Sequence, residues 1–232
     1  MSKTNATVVL AHGAWADGSS WNEVTRRLLR KEIPVVAAPL PLTSLRDDVA
    51  ALERTIERAV ERDGGPVVLV AHAYAGAVIS ASVHERVRAL VFAAALTPDE
   101  GETVAELFYR APPHRDAPQL APDAHGLIWM PEASFAKAFA QHASSEQAAL
   151  FAATQRPIAL QCIQERAPTP AWKTKPSWFL IAEEDRMIHP ATQRFMAERM
   201  GARIRSEPLD HTPLATAPER VVSIIEEALA NL

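Results

Sequence analysis

Residues 67–76 read VVLVAHAYAG. The opening VVLVA is an unbroken apolar run, preceded by the stop Gly64-Gly65-Pro66. A continuous run bounded by turn residues suits a central parallel strand buried on both faces. Residues 74–83 are small or apolar and predict a buried helix directly behind it. Strand and helix are joined through His72-Ala73-Tyr74, bracketed by Ala71 and Ala75. Small residues two before and two after the apex let the two elements pass closely, so the junction is a sharp strand-to-helix turn.

The same alternation extends in both directions. Upstream, residues 7–11 (TVVLA) form a short apolar strand that breaks at His12-Gly13. Ser19 or Ser20 caps a helix running to about Lys31, with Trp21, Val24 and Leu28 inward. Residues 34–38 give a second strand. Leu45, Val49, Leu52, Ile56 and Val60, spaced by threes and fours, give an amphipathic helix. Downstream, residues 87–95, 176–182 and 202–207 are strands, and residues 218–232 form an amphipathic helix with Val221, Val222, Ile224, Ile225 and Leu229 inward. Alternating strands and helices predict an α/β fold, a doubly wound and mainly parallel sheet. Residues 102–175 break the pattern. They lack strand signals and read as a helical lid insertion, leaving 1–101 and 176–232 as the core.

Composition narrows the function classes. The chain has 232 residues and 48% hydrophobic content, enough for one compact domain with a sizeable core. Net charge is -4 with no Lys/Arg-dense run, which excludes a nucleic-acid partner. The single cysteine, Cys162, excludes an internal disulfide. The polar start lacks a secretory h-region, and no apolar stretch approaches the roughly 20 residues that span a bilayer. A cytoplasmic location without membrane association is therefore expected. His72, His189 and His211 match no zinc spacing, and no dinucleotide or P-loop pattern occurs, so no metal and no cofactor is expected.

The landmarks together resemble the small esterase and hydroxynitrile-lyase-like branch of the α/β-hydrolase superfamily. They are His12-Gly13-Ala14-Trp15, WADGSSW (15–21), PLPLTSL (39–45), ALTPDEGE (95–102), KPSWFLIAEEDRMI (175–188) and the late His211. The resemblance covers nearly the whole chain and is weakest across 102–175. In that superfamily the sharp turn carries the nucleophile in a Gly-x-Ser-x-Gly pattern, followed in chain order by the acid and the histidine. The resemblance puts Ala73 at the nucleophile position, Asp185 at the acid position and His211 at the general-base position. It puts the oxyanion-binding donors at Ala14 or Trp15 and at Tyr74. Asp99 and Asp210 compete with Asp185 as partner of His211. This chain departs from the pattern at Ala71, Ala73 and Ala75, where Gly, Ser and Gly are usual.

A methyl group cannot attack a carbonyl, so covalent catalysis at position 73 is excluded. Ser19 and Ser20 are better explained by helix capping, and Cys162 by burial. An Asp–His pair without a nucleophile can still accept a proton from a substrate or from water. The insertion supplies Phe108, Trp129 and Phe135, which with His12 are expected to line an apolar pocket for a small neutral molecule. His72 reads as structural. Three readings follow. One is a lyase-like or direct-hydrolysis enzyme using His211 and Asp185, the second a pseudo-hydrolase that binds a small apolar ligand, the third an esterase inactivated by substitution. Replacement of three residues in one turn favours a natural lineage over deliberate inactivation. The partner expected is a small-molecule substrate or ligand, with a homodimer allowed.

Overall fold

The computed structural model describes residues 5–232; the polar opening read at 1–4 lies outside the described residues. Six parallel strands, β1 (Thr7–Ala11), β2 (Val35–Ala38), β3 (Val67–His72), β4 (Val87–Ala93), β7 (Ser177–Ala182) and β8 (Arg203–Glu207), stand in the order β2-β1-β3-β4-β7-β8. Between β4 and β7 the chain forms a separate antiparallel pair, β5 (Leu127–Ile128) with β6 (Ile158–Ala159). The main sheet is doubly wound. Alternate residues of its strands enter opposite cores, as a two-residue side-chain period requires. Val8, Leu10, Val68 and Val70 join Val24 and Leu28 of α1 (Asn22–Arg30) and Ile224 and Ile225 of the last helix (Pro218–Leu229). Val9, Leu69 and Ala71 join Leu52 and Ile56 of α2 (Leu45–Asp63) and the helix after β3, α3 (Ala75–Ser80).

Several local expectations change. The first helix is not capped by Ser19 or Ser20. Asp17 accepts from Ser19 N and opens a 3-10 turn, Gly18–Trp21, that feeds α1. Helix α2 starts from Ser44, whose side chain accepts from Asp47 N, and stops at Gly64 in the left-handed region. Its inward positions are Leu45, Asp48, Ala51, Leu52, Thr55, Ile56 and Ala59, while Val49 and Val60 are only half-buried. The helix packs on β1, β2 and α3, and Asp48 lies on its inward stripe. Strand β4 ends at Ala93, because Ala94 turns to φ 45°.

The stretch 102–175 is not purely helical. It holds α4 (Val104–Phe108), the β5–β6 pair, α5 (Glu132–Ser134) running into a π-turn at Phe135–Phe139, α6 (Ser145–Thr154) and α7 (Leu160–Gln164). Two-residue strands are too short to leave an alternating signature. After β7 come α8 (Pro190–Arg199), α9 (Pro213–Thr216) and α10, the Pro218–Leu229 helix. Among the described residues no helix is long and apolar enough to cross a membrane.

The junction of β3 and α3 is tightly packed. Ala73 sits at φ 49°, and its carbonyl accepts from both Gly76 N and Leu96 N at 3.0 Å. A side chain at position 76 would overlap the Leu96 carbonyl oxygen and stand 2.9 Å from the Ala95 Cβ. The close contact is therefore backbone on backbone, and only glycine fits. Gly76→Ala should destabilise the fold by about 1–3 kcal/mol, the usual cost of forcing a group into a packed core. Urea denaturation checks this, and an unchanged midpoint would show that the helix moves off the sheet without cost.

Candidate active site

Each strand of the central sheet delivers its residue at the carboxyl end, where ligands of such sheets bind. At the tip of β3, Ala73 occupies the left-handed region, which costs a non-glycine residue about 1–2 kcal/mol. Trp15, after β1, is also left-handed, at φ 57°. Its indole N–H donates to the Ile128 carbonyl at 3.0 Å, tying the first loop to β5. Gly13 lies beneath. A side chain there would stand 2.9 Å from the Ala73 Cβ, so the loop after β1 passes directly across the turn.

After β7, Asp185 is buried, and four donors converge on its carboxylate. Oδ1 accepts from Met187 N at 2.7 Å and Ile188 N at 2.9 Å. Oδ2 accepts from Gln193 Nε2 at 2.8 Å and from His211 Nδ1 at 2.9 Å. Four donors fix the carboxylate in orientation. His211, buried on the loop between β8 and α9, therefore carries its proton on Nδ1 and leaves Nε2 as the basic nitrogen. The competing acids are engaged elsewhere. Asp210 accepts from Thr216 Oγ1 at 2.6 Å and His142 N at 3.0 Å, and Asp99 pairs with Lys173 at 2.5 Å.

A cavity of about 50 Å³ lies over the turn. Ala73, Tyr74, Ala14, Trp15 and His211 line it, joined by Phe108, Val104, Leu120, Ile128, Ile158, Ile163, Met187 and Ile188. One water needs roughly 10–15 Å³ of such space, so the cavity has room for a few water-sized groups. Apart from Tyr109 at its exposed side, its polar side chains lie at the end formed by the turn and His211.

Not every expected pocket residue reaches it. Phe108 does. Trp129 instead lies half in solvent and donates to Asp123 Oδ2 at 3.3 Å. Phe135 is buried in the core, its ring edge-on to Phe139 with centroids 5.1 Å apart. The π-turn places Phe139, not Phe135, beside His211, at 5.3 Å between ring centroids. His12 is buried behind the turn with Nδ1 donating to the Gly13 carbonyl at 3.0 Å, and it does not line the cavity. Ser19 and Ser20 bond within the Asp17 turn, away from the cavity. Cys162 is buried, and burial together with the nearby Asp48 charge pushes its thiol up to about 12. It is no nucleophile.

Supporting residues beyond the expected set are Gln193, which bonds Asp185 and also accepts from Ala182 N, and Phe139, whose carbonyl accepts from Thr212 Oγ1. No short-range sequence pattern marks either. His189 Nδ1 caps α8 by accepting from Ala191 N. Among the described residues no group of three or more metal-ligating side chains comes together.

His72 packs against the His211 ring, with centroids 4.8 Å apart, and its Nε2–H donates to the His211 carbonyl at 2.7 Å. Burial first, and then the neighbouring His211, hold its pKa well below the ordinary 6.5. The unfolded chain thus binds this proton while the folded one does not. Stability is full above about pH 6.5 and falls as the pH drops from there toward the depressed folded value, by up to ~1.4 kcal/mol per pH unit from this residue. His72→Asn should remove that part of the slope in denaturation midpoints measured across this range. Equal slopes in parent and variant would mean that His72 is protonated in the fold.

A model of the Alpha/beta hydrolase family matches residues 8–224. No curated protein sequence matches the chain. Among solved structures, polyneuridine aldehyde esterase is 18% identical with a TM-score of 0.83, covering 96% of this chain and 98% of its own. A pyrethroid hydrolase from Sphingobium faniae JZ-2 is 19% identical with a TM-score of 0.77 and 97% coverage of both chains. The methylesterase MES16 from Arabidopsis is 15% identical with a TM-score of 0.76, covering 98% of this chain and 100% of its own.

Proposed function

The chain belongs to the alpha/beta hydrolase family, and from that premise we propose that it acts on a small, largely apolar organic molecule by proton transfer at His211, with no covalent enzyme intermediate. One observation carries this reading. His211, oriented by Asp185, lines the cavity together with a methyl side chain, Ala73, at the apex of the turn. A buried imidazole held by a buried carboxylate is costly to keep where no proton moves. The esterase and hydrolase names of the structural neighbours support an ester or a related carbonyl as the reacting group.

In direct hydrolysis, Nε2 of His211 takes a proton from water as the water oxygen attacks the carbonyl carbon. The developing oxyanion is received by backbone N–H groups of Ala14 or Trp15 and of Tyr74. The imidazolium then returns its proton to the departing alkoxide, giving acid and alcohol. In the lyase-like variant, Nε2 removes a hydroxyl proton from the substrate, the adjacent carbon–carbon bond breaks to leave a carbonyl, and the proton passes to the departing carbanion. Asp185 steadies the imidazolium in both cases. The stretch 102–175 acts as a lid that excludes bulk water.

A second reading, a binding protein that does no chemistry, draws support from the same methyl group and the small apolar cavity. A panel of small esters and cyanohydrins separates the two. With turnover, His211→Ala should lower kcat/KM by about a hundredfold to ten-thousandfold, the usual worth of a general base. Intact mass should show no acyl adduct on the parent. Equal rates in parent and His211→Ala, with measurable binding, would establish the binder instead. Ala73→Ser restores a nucleophile beside an oriented base. If the pocket is otherwise that of an esterase, ester turnover should rise by about a thousandfold or more, with an acyl adduct at position 73. No gain would indicate a pocket already shaped for the non-covalent route.

A further inference from the structure

A second buried carboxylate lies next to the cavity, and the chemistry above makes no use of it. Asp48 is fully buried on the first turn of α2, at a position that continues the apolar stripe of Leu45 and Leu52. Its Oδ2 accepts from the Tyr74 phenol at 2.6 Å and from Cys162 Sγ at 3.7 Å. Its Oδ1 accepts from Leu42 N at 2.7 Å. Leu42 N is an obligate donor, and the phenol and thiol protons can both be directed at Oδ2. No cation pairs with it among the described residues. A buried charge without a counter-ion costs several kcal/mol, only partly offset by its hydrogen bonds, and an apolar residue here would be the stabilising choice. Asp48 is thus better explained by what it holds than by what it contributes to stability.

What it holds is the wall of the cavity. Tyr74 follows Ala73 at the turn and lines the cavity, whereas Asp48, Leu42 and Cys162 do not. The phenol oxygen is therefore turned out of the cavity toward Asp48, and the ring carbons face in. Leu42 lies at φ 61°, and its carbonyl accepts from Ala159 N at 3.0 Å. Asp48 thereby joins the turn, the loop before α2, and α7. We propose that Asp48 is a specificity-determining positioning residue that keeps the Tyr74 hydroxyl away from ligand, so that the inner wall of the cavity at Tyr74 stays apolar. This rests on the cavity being the ligand site.

Tyr74 and Tyr109 are the two tyrosines of the chain, so Tyr109→Phe leaves Tyr74 as the only source of the ultraviolet tyrosinate band. In that background, alkaline titration should show no tyrosinate until circular dichroism reports unfolding. Burial and then the Asp48 charge both oppose ionisation of this phenol. A band rising in the folded protein near the ordinary phenol value of about 10 overturns the proposal, and this measurement needs no change at Asp48. Asp48→Asn added to that background removes the charge, and with its carbonyl kept on Leu42 N its NH2 group faces the phenol oxygen and cannot accept the phenol proton. The tyrosinate curve should then move down by about one pH unit or more.

Cyclopentane and cyclopentanone are probes of similar shape that differ by one carbonyl acceptor. The affinity ratio favouring cyclopentanone, followed by ligand-observed NMR, should rise about tenfold in Asp48→Asn as the phenol becomes available, the worth of one net hydrogen bond. Superimposed titrations, or a shifted titration with an unchanged ratio, overturn the proposal. If neither probe binds the parent, the ligand-site reading fails, and the titration alone decides whether Asp48 sequesters the phenol.

Discussion

The structure depends on the crossing of β3 into α3. Ala73 holds a left-handed backbone that an alanine adopts only under constraint, and two hydrogen bonds to its carbonyl, from Gly76 N and Leu96 N, supply that constraint. The first bond closes the turn, and the second pulls the chain beyond β4 against it. Once the apex is fixed, Gly13 can pass across it, and the loop after β1 takes its place beside the cavity. Without that crossing, His211 and the 102–175 stretch would have no common target.

Two buried carboxylates flank this crossing, and they differ in what they hold. Asp185 is surrounded by two backbone N–H groups, the Gln193 amide and the His211 imidazole, and its work is to fix a ring whose other nitrogen stays basic. Asp48 receives a phenol, a thiol and one backbone N–H, and burial raises its own pKa. In the function proposed above, the first arrangement would prepare a group for proton transfer and the second would withdraw a polar group from contact. Both depend on low solvent access, which strengthens each hydrogen bond and makes the loss of any one of them costly.

The core of the fold was legible in the sequence because its signals are local. The apolar run of β3, the Gly-Pro stop before it and the helical spacing of α2 each lie within one element. The His211–Asp185 pair was legible through chain order, although geometry was needed to set aside Asp99 and Asp210. The pocket walls were not. Which face of a short helix meets the cavity depends on tertiary packing, and the π-turn at Phe135–Phe139 shifted that face, bringing Phe139 to His211 while Phe135 went into the core. Trp129 went to the surface for a similar reason, since it follows directly on β5, which is fixed by pairing with β6. Asp48 had a visible signal, three residues after Leu45 and four before Leu52, but a charged residue on an apolar stripe is usually discounted. Its partners, far apart in sequence, give it meaning.

The stretch 102–175 is bonded to the rest of the chain at two sides of the cavity, by the Trp15 indole to Ile128 and by Thr212 to the Phe139 carbonyl. Swinging that stretch aside as a unit would break both bonds. Tyr109, by contrast, is well exposed, and with Phe108 and Leu120 it borders both the cavity and a neighbouring surface hollow around Pro112 and Pro118. If ligand occupies the cavity, as proposed above, these residues are the walls it shares with the surface hollow, and their bulk would set what passes between the two.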